Sequence, residues 1–353
     1  MTTATKNKKA SKKKYPKVSD EQKLQTAQEK FDKMAIRIIE EKHVMFWDAM
    51  QDFGMGRHCG RDGKVYKGVR NQAYLAGEAC LNDYQSRQWL TYNRIAELGA
   101  FVRKGEYSSQ IFNIFMAPLK CWHKGDCDCD YIVVTVPAGN GSVKRERHLV
   151  NPETGQVKKT KRTGALAVFN IDQADWSDAP EGKPQDPTID LDATVTAHEL
   201  ADSIINQYVE TTGVKVVEVP LSQAPNWTEH PDQINLPLKA QWTAEGAYYS
   251  TIFHEMAHST SIRDDKRVKR DLRGYYSKGQ HVRGAEEMAA EIASAYLRAY
   301  AGIESETLTD NSAAYVQSWA NVIKDDPKVI AESMDLADRI SRYILSCAKE
   351  CAA

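Results

Sequence analysis

Ser250-Thr251-Ile252-Phe253-His254-Glu255-Met256-Ala257-His258 holds an H-E-x-x-H motif inside an apolar stretch. Residues four apart on a helix share one face, about 5–6 Å apart at Cβ, so His254 and His258 can both reach one Zn2+. Glu255 follows the first histidine, where a carboxylate can act as general base toward a water at the metal. With nine histidines and 23 glutamates in 353 residues, chance would place such a motif in about 0.015 chains of this composition, so the match is not treated as accidental. Tyr248, Tyr249, Ile252, Phe253, Met256 and Ala257 make the surrounding helix a buried one. Two core histidines bonded locally are the alternative to a metal.

A catalytic zinc needs a third protein ligand and an open position. Glu286, Glu287 and Glu291 lie on a second helical stretch whose apolar stripe is Met288, Ile292, Ala295, Tyr296 and Ala299. Glu287 and Glu291 share one flank of that stripe, so Glu287 is expected as the ligand and Glu291 as a carboxylate orienting a histidine. Glu286 points further round and ranks last. A solvated acidic face is the alternative. His198-Glu199, with Asp202 four residues after the histidine, sits on a helix that looks peripheral and is read as structural. Cys121-x-His123-x3-Cys127-x-Cys129 places four soft ligands within nine residues, interleaved with Asp126, Asp128 and Asp130. It lacks the Cys-x2-Cys knuckle of zinc ribbons and is read as free thiols in a loop, with metal binding the alternative.

Working outward, 353 residues suggest two domains. An apolar fraction of 42% with 27% charged residues is an ordinary globular balance. No run approaches the ~18 apolar residues of a membrane helix, and Met1 to Ser11 lacks the apolar core of a secretory signal. Seven cysteines, an odd number, fit reduced thiols in a cytoplasm. The net charge of −1 hides an asymmetry: seven lysines precede the first acid, Asp20, so the chain after residue 17 is seven units more negative than the whole. A basic arm on an acidic body suits a polyanion partner, or serves as a solubilising tail.

Ser19 with Gln22 forms a capping-box pattern, and Leu24, Ala27, Phe31, Met34, Ile38 and Ile39 recur at helical spacing. Residues 88–100 read as a strand or turn leading into a short helix that ends near Gly99. Ser109 to Met116 and Leu166 to Ile171 read as paired strands, with Tyr131–Pro137 and a basic loop around 139–163 as a hairpin between them. Residues 173–193 are acidic, contain prolines and read as a linker. Beyond it a helix near 193–211, a strand at 214–219, a short edge strand at 233–236 and helices at about 244–260, 284–301, 309–324 and 327–350 follow. The expected fold class is α+β.

Several segments together resemble the ArdC family of antirestriction proteins, encoded by conjugative plasmids and phages. Residues 250–258, Glu286-Glu287-Met288-Ala289-Ala290-Glu291-Ile292-Ala293-Ser294-Ala295 and Ala314-Tyr315-Val316-Gln317-Ser318-Trp319 resemble its C-terminal metallopeptidase-like domain. Gly63-Lys64-Val65-Tyr66-Lys67-Gly68-Val69-Arg70-Asn71, Trp89-Leu90-Thr91-Tyr92, Glu97-Leu98-Gly99-Ala100, Val102-Arg103-Lys104-Gly105-Glu106 and Val168-Phe169-Asn170 resemble its N-terminal domain. The resemblance spans about residues 30–115, 164–172 and 195–350. It implies a basic tail over 1–19, a single-stranded DNA-binding α+β domain over 20–172 with an insertion at about 117–163, the linker, and a zincin-like domain over 194–353. This chain departs from the family pattern at Asp62, in place of a threonine, and at Ser259-Thr260-Ser261-Ile262, where a Thr-Gly-His stretch is common.

The family's DNA-binding domain gives the basic and aromatic residues a role. Tyr66, Trp89 and Tyr92 would stack on bases, while Lys64, Lys67, Arg70, Arg103 and Lys104, with Asn71 in the matching segment, would contact the backbone. Trp89 and Tyr92 as core residues are the alternative. The resemblance implies a cytoplasmic protein of a bacterial host cell that holds one Zn2+ through His254, His258 and Glu287, with Glu255 catalytic. Its partners would be single-stranded DNA and a protein substrate such as a restriction component. Tyr275, Tyr276 or His281 are candidates for an extra oxyanion donor. Two rival readings stand beside it: a non-catalytic DNA-coating protein with a structural or vestigial metal site, and a protease acting on DNA-bound proteins.

Overall fold

A computed structural model describes residues 19–53, 57–123, 127–138, 142–186, 197–219, 225–242, 245–261, 267–270, 272, 280–303, 312–326 and 328–348. The chain begins with α1 (Asp20–Lys42), whose entry is set by the expected box. The Gln22 backbone N–H donates to Ser19 Oγ at 3.1 Å, and the Ser19 N–H donates to Gln22 Oε1 at 2.9 Å. Ala27, Phe31, Met34, Ala35 and Ile38 form its buried stripe. Then come α2 (Phe46–Asp52), α3 (Val69–Asn82), β1 (Trp89–Leu90), α4 (Tyr92–Glu97) and β2 (Phe101–Val102). Gly99, just past α4, adopts φ 84°, and a Cβ there would lie 2.9 Å from Pro180 Cδ, so both backbone sign and close approach demand glycine.

β3 (Ser109–Pro118) and β6 (Lys159–Asn170) are neighbours in a sheet of order β1-β6-β3, as the two β-rich runs foretold. Between them in sequence, β4 (Tyr131–Ala138) and β5 (Ser142–Leu149) form the antiparallel hairpin. β7 (Ala174–Asp175) pairs with β2, and residues 176–186 continue beside it: the Arg87 backbone N–H donates to Asp186 at 2.8 Å and Trp176 Nε1 donates to the Ile171 carbonyl at 2.8 Å.

The second half runs α5 (Ala197–Thr212), β8 (Lys215–Val219), β9 (Asn226–Thr228), β10 (Gln233–Pro237), α6 (Glu245–Ser259), α7 (Gln280–Ala301), α8 (Ser312–Asp325) and α9 (Lys328–Cys347). β10 is not the edge strand expected for 233–236. It lies in the middle of the order β8-β10-β9, parallel to β8 and antiparallel to β9, with Ile234 and Leu236 fully buried.

Compactness divides the chain into residues 1–26 with 113–165, and residues 27–112 with 166–353. Within the second unit, one hydrophobic core joins α1–α3 to the helices of the C-terminal half. Trp47 meets Trp319 edge-on at 5.8 Å, and Asp338 of α9 caps α3 by accepting from the Val69 backbone N–H at 3.0 Å. That cap explains Gly68, whose φ of 96° suits glycine and whose Cβ would press on Asp338 Oδ1 at 3.3 Å.

Candidate metal centre and DNA-binding residues

α6 buries Ile252, Phe253, Met256 and Ala257, which turns His254 and His258 toward α7. Ser294 Oγ donates to the Ser250 carbonyl at 2.7 Å and ties the two helices together. Tyr208 and Ser259 hydroxyls meet at 2.7 Å, and Arg267 donates to the Ser259 carbonyl at 2.9 Å, fixing the end of α6.

Three donor atoms converge between these helices. His254 Nε2 and His258 Nε2 lie 3.1 Å apart, and Glu287 Oε2 lies 3.3 Å from the first and 3.6 Å from the second. Metal–nitrogen and metal–oxygen bonds of about 2.0–2.1 Å at tetrahedral angles give edges of about 3.3–3.4 Å, so this triangle has the size of one face of a zinc tetrahedron. His254, His258 and Glu287, the three residues picked out by helical phase, thus form a candidate metal group.

The far ring nitrogens face carboxylates. His258 Nδ1 lies 3.0 Å from Glu286 Oε1, and Glu286 in turn takes two hydrogen bonds from Arg270, both at 2.7 Å. His254 Nδ1 lies 3.7 Å from Glu291 Oε1. The orienting carboxylate expected at Glu291 is therefore near its histidine, but the shorter partner is Glu286, which the helical wheel placed last, and Arg270 had no sequence signal. Burial works to raise the Glu286 carboxyl, yet His258 and Arg270 outweigh it and hold its pKa down at about 2. Burial likewise pushes the His254 and His258 rings toward neutrality, while Glu291 and Glu287 at the first and Glu286 and Glu287 at the second more than reverse it.

Glu255 is buried beside the ligands, and burial raises its pKa. The Trp227 backbone N–H of β9 faces its carboxylate and works in the opposite direction. A carboxylate with a raised pKa next to a candidate metal group is suited to taking and returning a proton. Tyr275 and Tyr276 lie outside the described residues, as does the side chain of His281. His198 stacks flat on Tyr249 at 5.6 Å and Asp202 accepts from the Tyr249 hydroxyl at 3.0 Å, so that histidine pattern is part of the packing of α5 on α6.

The residues proposed to touch DNA divide sharply. Trp89 is fully buried and its indole N–H donates to His58 Nδ1 at 3.0 Å. It offers no ring face to a base, which corrects its expected stacking role. Arg70 is spent internally: its guanidinium bonds Gln28, the Ala331 carbonyl at 3.1 Å and Asp335 at 2.7 Å, and lies over the Phe112 ring. Asn71 is buried and exchanges two 2.7 Å hydrogen bonds with the Phe112 backbone, tying α3 to β3. Tyr66 is half-buried, with its hydroxyl donating to the Trp89 carbonyl at 2.8 Å. Lys64, Lys67, Lys104 and Tyr92 are exposed, Tyr92 at 57%. Arg103 is half-exposed, donating to the Ala174 and Asp172 carbonyls and pairing with Glu106. Beside it, Phe101 at 49% and Tyr107 at 86% are exposed aromatics that the sequence reading missed. Their signal was an aromatic two positions before Arg103 and another three after Lys104.

Comparison with known proteins agrees with both halves. Residues 25–163 match the N-terminal domain of the anti-restriction factor ArdC, and residues 203–335 match a zincin-like metallopeptidase domain. The chain thus carries one segment matching an ArdC N-terminal domain and another matching a zincin-like metallopeptidase domain. The antirestriction ArdC protein from the R388 plasmid has a similar fold in two crystal structures. The metal-free one covers 92% of this chain and 98% of its own, at 24% identity and a TM-score of 0.56. The Mn(II)-bound one covers 91% and 97%, at 23% identity and a TM-score of 0.58. Two Escherichia coli proteins described as DNA primase TraC are each 28% identical over 80% of this chain. The chain spans only 23% and 17% of the length of these curated relatives. No helix among the described residues is long and apolar enough to cross a membrane.

Proposed function

We propose that this ArdC-like protein acts in the cytoplasm of a bacterial host as an antirestriction factor of a plasmid or phage, binding single-stranded DNA through residues 20–172. Residues 174–186 of the expected linker pack on that part instead of standing free of it, and a metal-dependent peptidase follows over 194–353. The observation that carries the reading is the convergence of His254, His258 and Glu287 in a chain that also matches the ArdC N-terminal domain.

Two imidazoles and one carboxylate suit Zn2+ better than the harder cations, and the triangle they form has the size zinc needs. One Zn2+ per chain is the proposed cofactor, although the R388 relative was crystallised with Mn(II). A metal held here would supply Lewis acidity toward a water and a peptide carbonyl. Glu286 and Glu291 orient the two rings so that their Nε2 atoms remain available. Glu255 receives the proton of the attacking water at its carboxylate and delivers it to the leaving amine.

On the DNA side, exposed Tyr92, Phe101 and Tyr107 supply stacking faces, and Lys64, Lys67, Arg103 and Lys104 supply backbone contacts. The protein substrate would be a restriction component. The deciding variant is Glu255→Gln, which keeps the metal ligands and the DNA-binding residues. Loss of protection of incoming DNA, with metal content and DNA affinity unchanged, is the outcome expected of an enzyme. Retained protection would instead make the chain a DNA-coating protein. Cleavage confined to DNA-bound proteins, and stimulated by DNA, would mark the third reading.

A further inference from the structure

Outside the zincin group, one other cluster of metal-ligating side chains stands out among the described residues: Cys121, His123, Cys127 and Cys129. The four donor atoms, three Sγ and one ring nitrogen, all lie within 4.8 Å of one another. Cys121 Sγ is 3.5 Å from Cys127 Sγ, and His123 Nδ1 is 3.5 Å from both Cys121 Sγ and Cys129 Sγ. Zinc bonds of about 2.3 Å to sulfur and about 2.0–2.1 Å to nitrogen, at tetrahedral angles, give edges of about 3.8 Å between sulfurs and about 3.5–3.6 Å between sulfur and nitrogen. Both sulfur–nitrogen separations match that edge. The sulfur–sulfur pair lies far nearer to it than to the ~2.05 Å of a disulfide, and Cys121, Cys127 and Cys129 are not in a disulfide.

The surroundings show why this part of the chain needs such a centre. Among residues 113–165 whose burial is described, Val150 is the one buried large hydrophobic side chain. The other buried residues there are His148 and a glycine, and the hairpin exposes Ile132, Val133 and Val143. A region of this size with so little apolar burial among its described residues gains stability from a disulfide or a metal. The cluster also sits where a clamp would act. The Cys121 backbone N–H donates to the Arg147 carbonyl at 2.9 Å, Arg147 donates to the His123 carbonyl at 3.4 Å, and the Leu149 N–H donates to the Leu119 carbonyl at 2.8 Å. The segment bearing the ligands is thus already bonded along β5, at the base of the hairpin.

We propose that Cys121, His123, Cys127 and Cys129 form a second, structural Zn2+ site that fastens the base of the β4–β5 hairpin. Zn2+ entering it displaces the three thiol protons to solvent and binds neutral His123 through Nδ1. Three thiolates with one Zn2+ carry a net charge of −1, and Arg147, which donates to the His123 carbonyl, is the cation beside it. With four protein ligands the site is closed, as structural zinc sites are, and leaves no position for a substrate. The inference is independent of the function proposed for the zincin domain.

Elemental analysis of the full-length protein, purified under reducing conditions and supplied with zinc alone, tests it against the zincin centre. Wild type should hold two zinc ions per chain, and His254→Ala/His258→Ala should hold one. Cys127→Ser/Cys129→Ser should also hold one. With Co2+ in place of zinc, wild type and the histidine variant should show a thiolate-to-cobalt charge-transfer band that the cysteine variant lacks. His123→Cys, which makes a four-thiolate set, should keep both the metal and the band, separating ligation from damage to the hairpin. An absent cobalt–thiolate band in wild type, or a zinc content unaffected by the cysteine substitutions, would overturn the site, as would an intrachain disulfide in the native mass.

Discussion

His258 Nδ1 and Glu286 Oε1 lie 3.0 Å apart, and the same carboxylate is gripped by Arg270 through two further hydrogen bonds. The imidazole is thereby held with Nε2 directed at His254 and Glu287, so the metal group depends on a carboxylate that does not belong to it. Carboxylates behind metal-bound histidines typically contribute about 10–100-fold in affinity. Glu286→Gln should therefore weaken zinc binding by a factor in that range in a chelator competition titration, with the fold retained. Arg270→Ala should go further and lower stability by roughly 3–5 kcal/mol, because it strips the guanidinium from a buried carboxylate. An unchanged chelator midpoint for Glu286→Gln would show that α6 alone orients His258.

The division among the aromatic residues gives a second expectation. Removing a base-stacking side chain costs about 1–3 kcal/mol of single-stranded DNA affinity, so Tyr92→Ala and Tyr107→Ala should each raise Kd by roughly 5- to 150-fold in a fluorescence-anisotropy titration. Lys104→Ala should weaken binding and flatten its salt dependence. Trp89→Phe should leave DNA affinity intact while lowering stability, since its indole serves His58 in the core. If Trp89→Phe lost affinity at unchanged stability and the tyrosine variants did not, the exposed face would be the wrong one.

His58 makes a pH prediction. Burial drives its pKa down to about 3, and the Trp89 indole N–H occupies Nδ1, which must stay unprotonated. An unfolded histidine takes up a proton at about 6.5. Because the folded pKa is the lower, the stabilisation is complete above pH ~6.5 and is lost as pH falls toward 3, amounting to about 2 kcal/mol already at pH 5. His58→Asn, whose amide oxygen can still accept from Trp89, should flatten the denaturant midpoint against pH over that window. Parallel acid limbs for wild type and variant would show that other groups control acid unfolding.

Much of the zincin site was readable along the chain because its geometry is local. Four-residue spacing sets His254 and His258 on one face, and the same spacing sets Glu287 and Glu291 on one flank of α7. Glu286 was misplaced because a helical wheel gives directions about one axis only. How α7 lies against α6, and where the loop residue Arg270 comes to rest, are decided by tertiary packing. Trp89 looked like a stacking residue for a related reason: its partner His58 is 31 positions upstream, joined to it by the fold alone. β10 seemed an edge strand because its outer neighbour β9 is three residues long and carries no alternation of its own. The Cys121–Cys129 cluster reads first as free thiols, with metal binding second, because its spacing matches no familiar knuckle, whereas its donor atoms meet in space.

The most direct test of the metal centre is the zinc content of wild type compared with His254→Ala/His258→Ala, with single-stranded DNA affinity measured on the same samples at two salt concentrations. The variant should hold one zinc ion fewer per chain while keeping salt-sensitive DNA binding, which would establish a metal centre separable from the DNA-binding face. Equal zinc content in the two proteins would contradict the assignment of His254, His258 and Glu287 as a metal site.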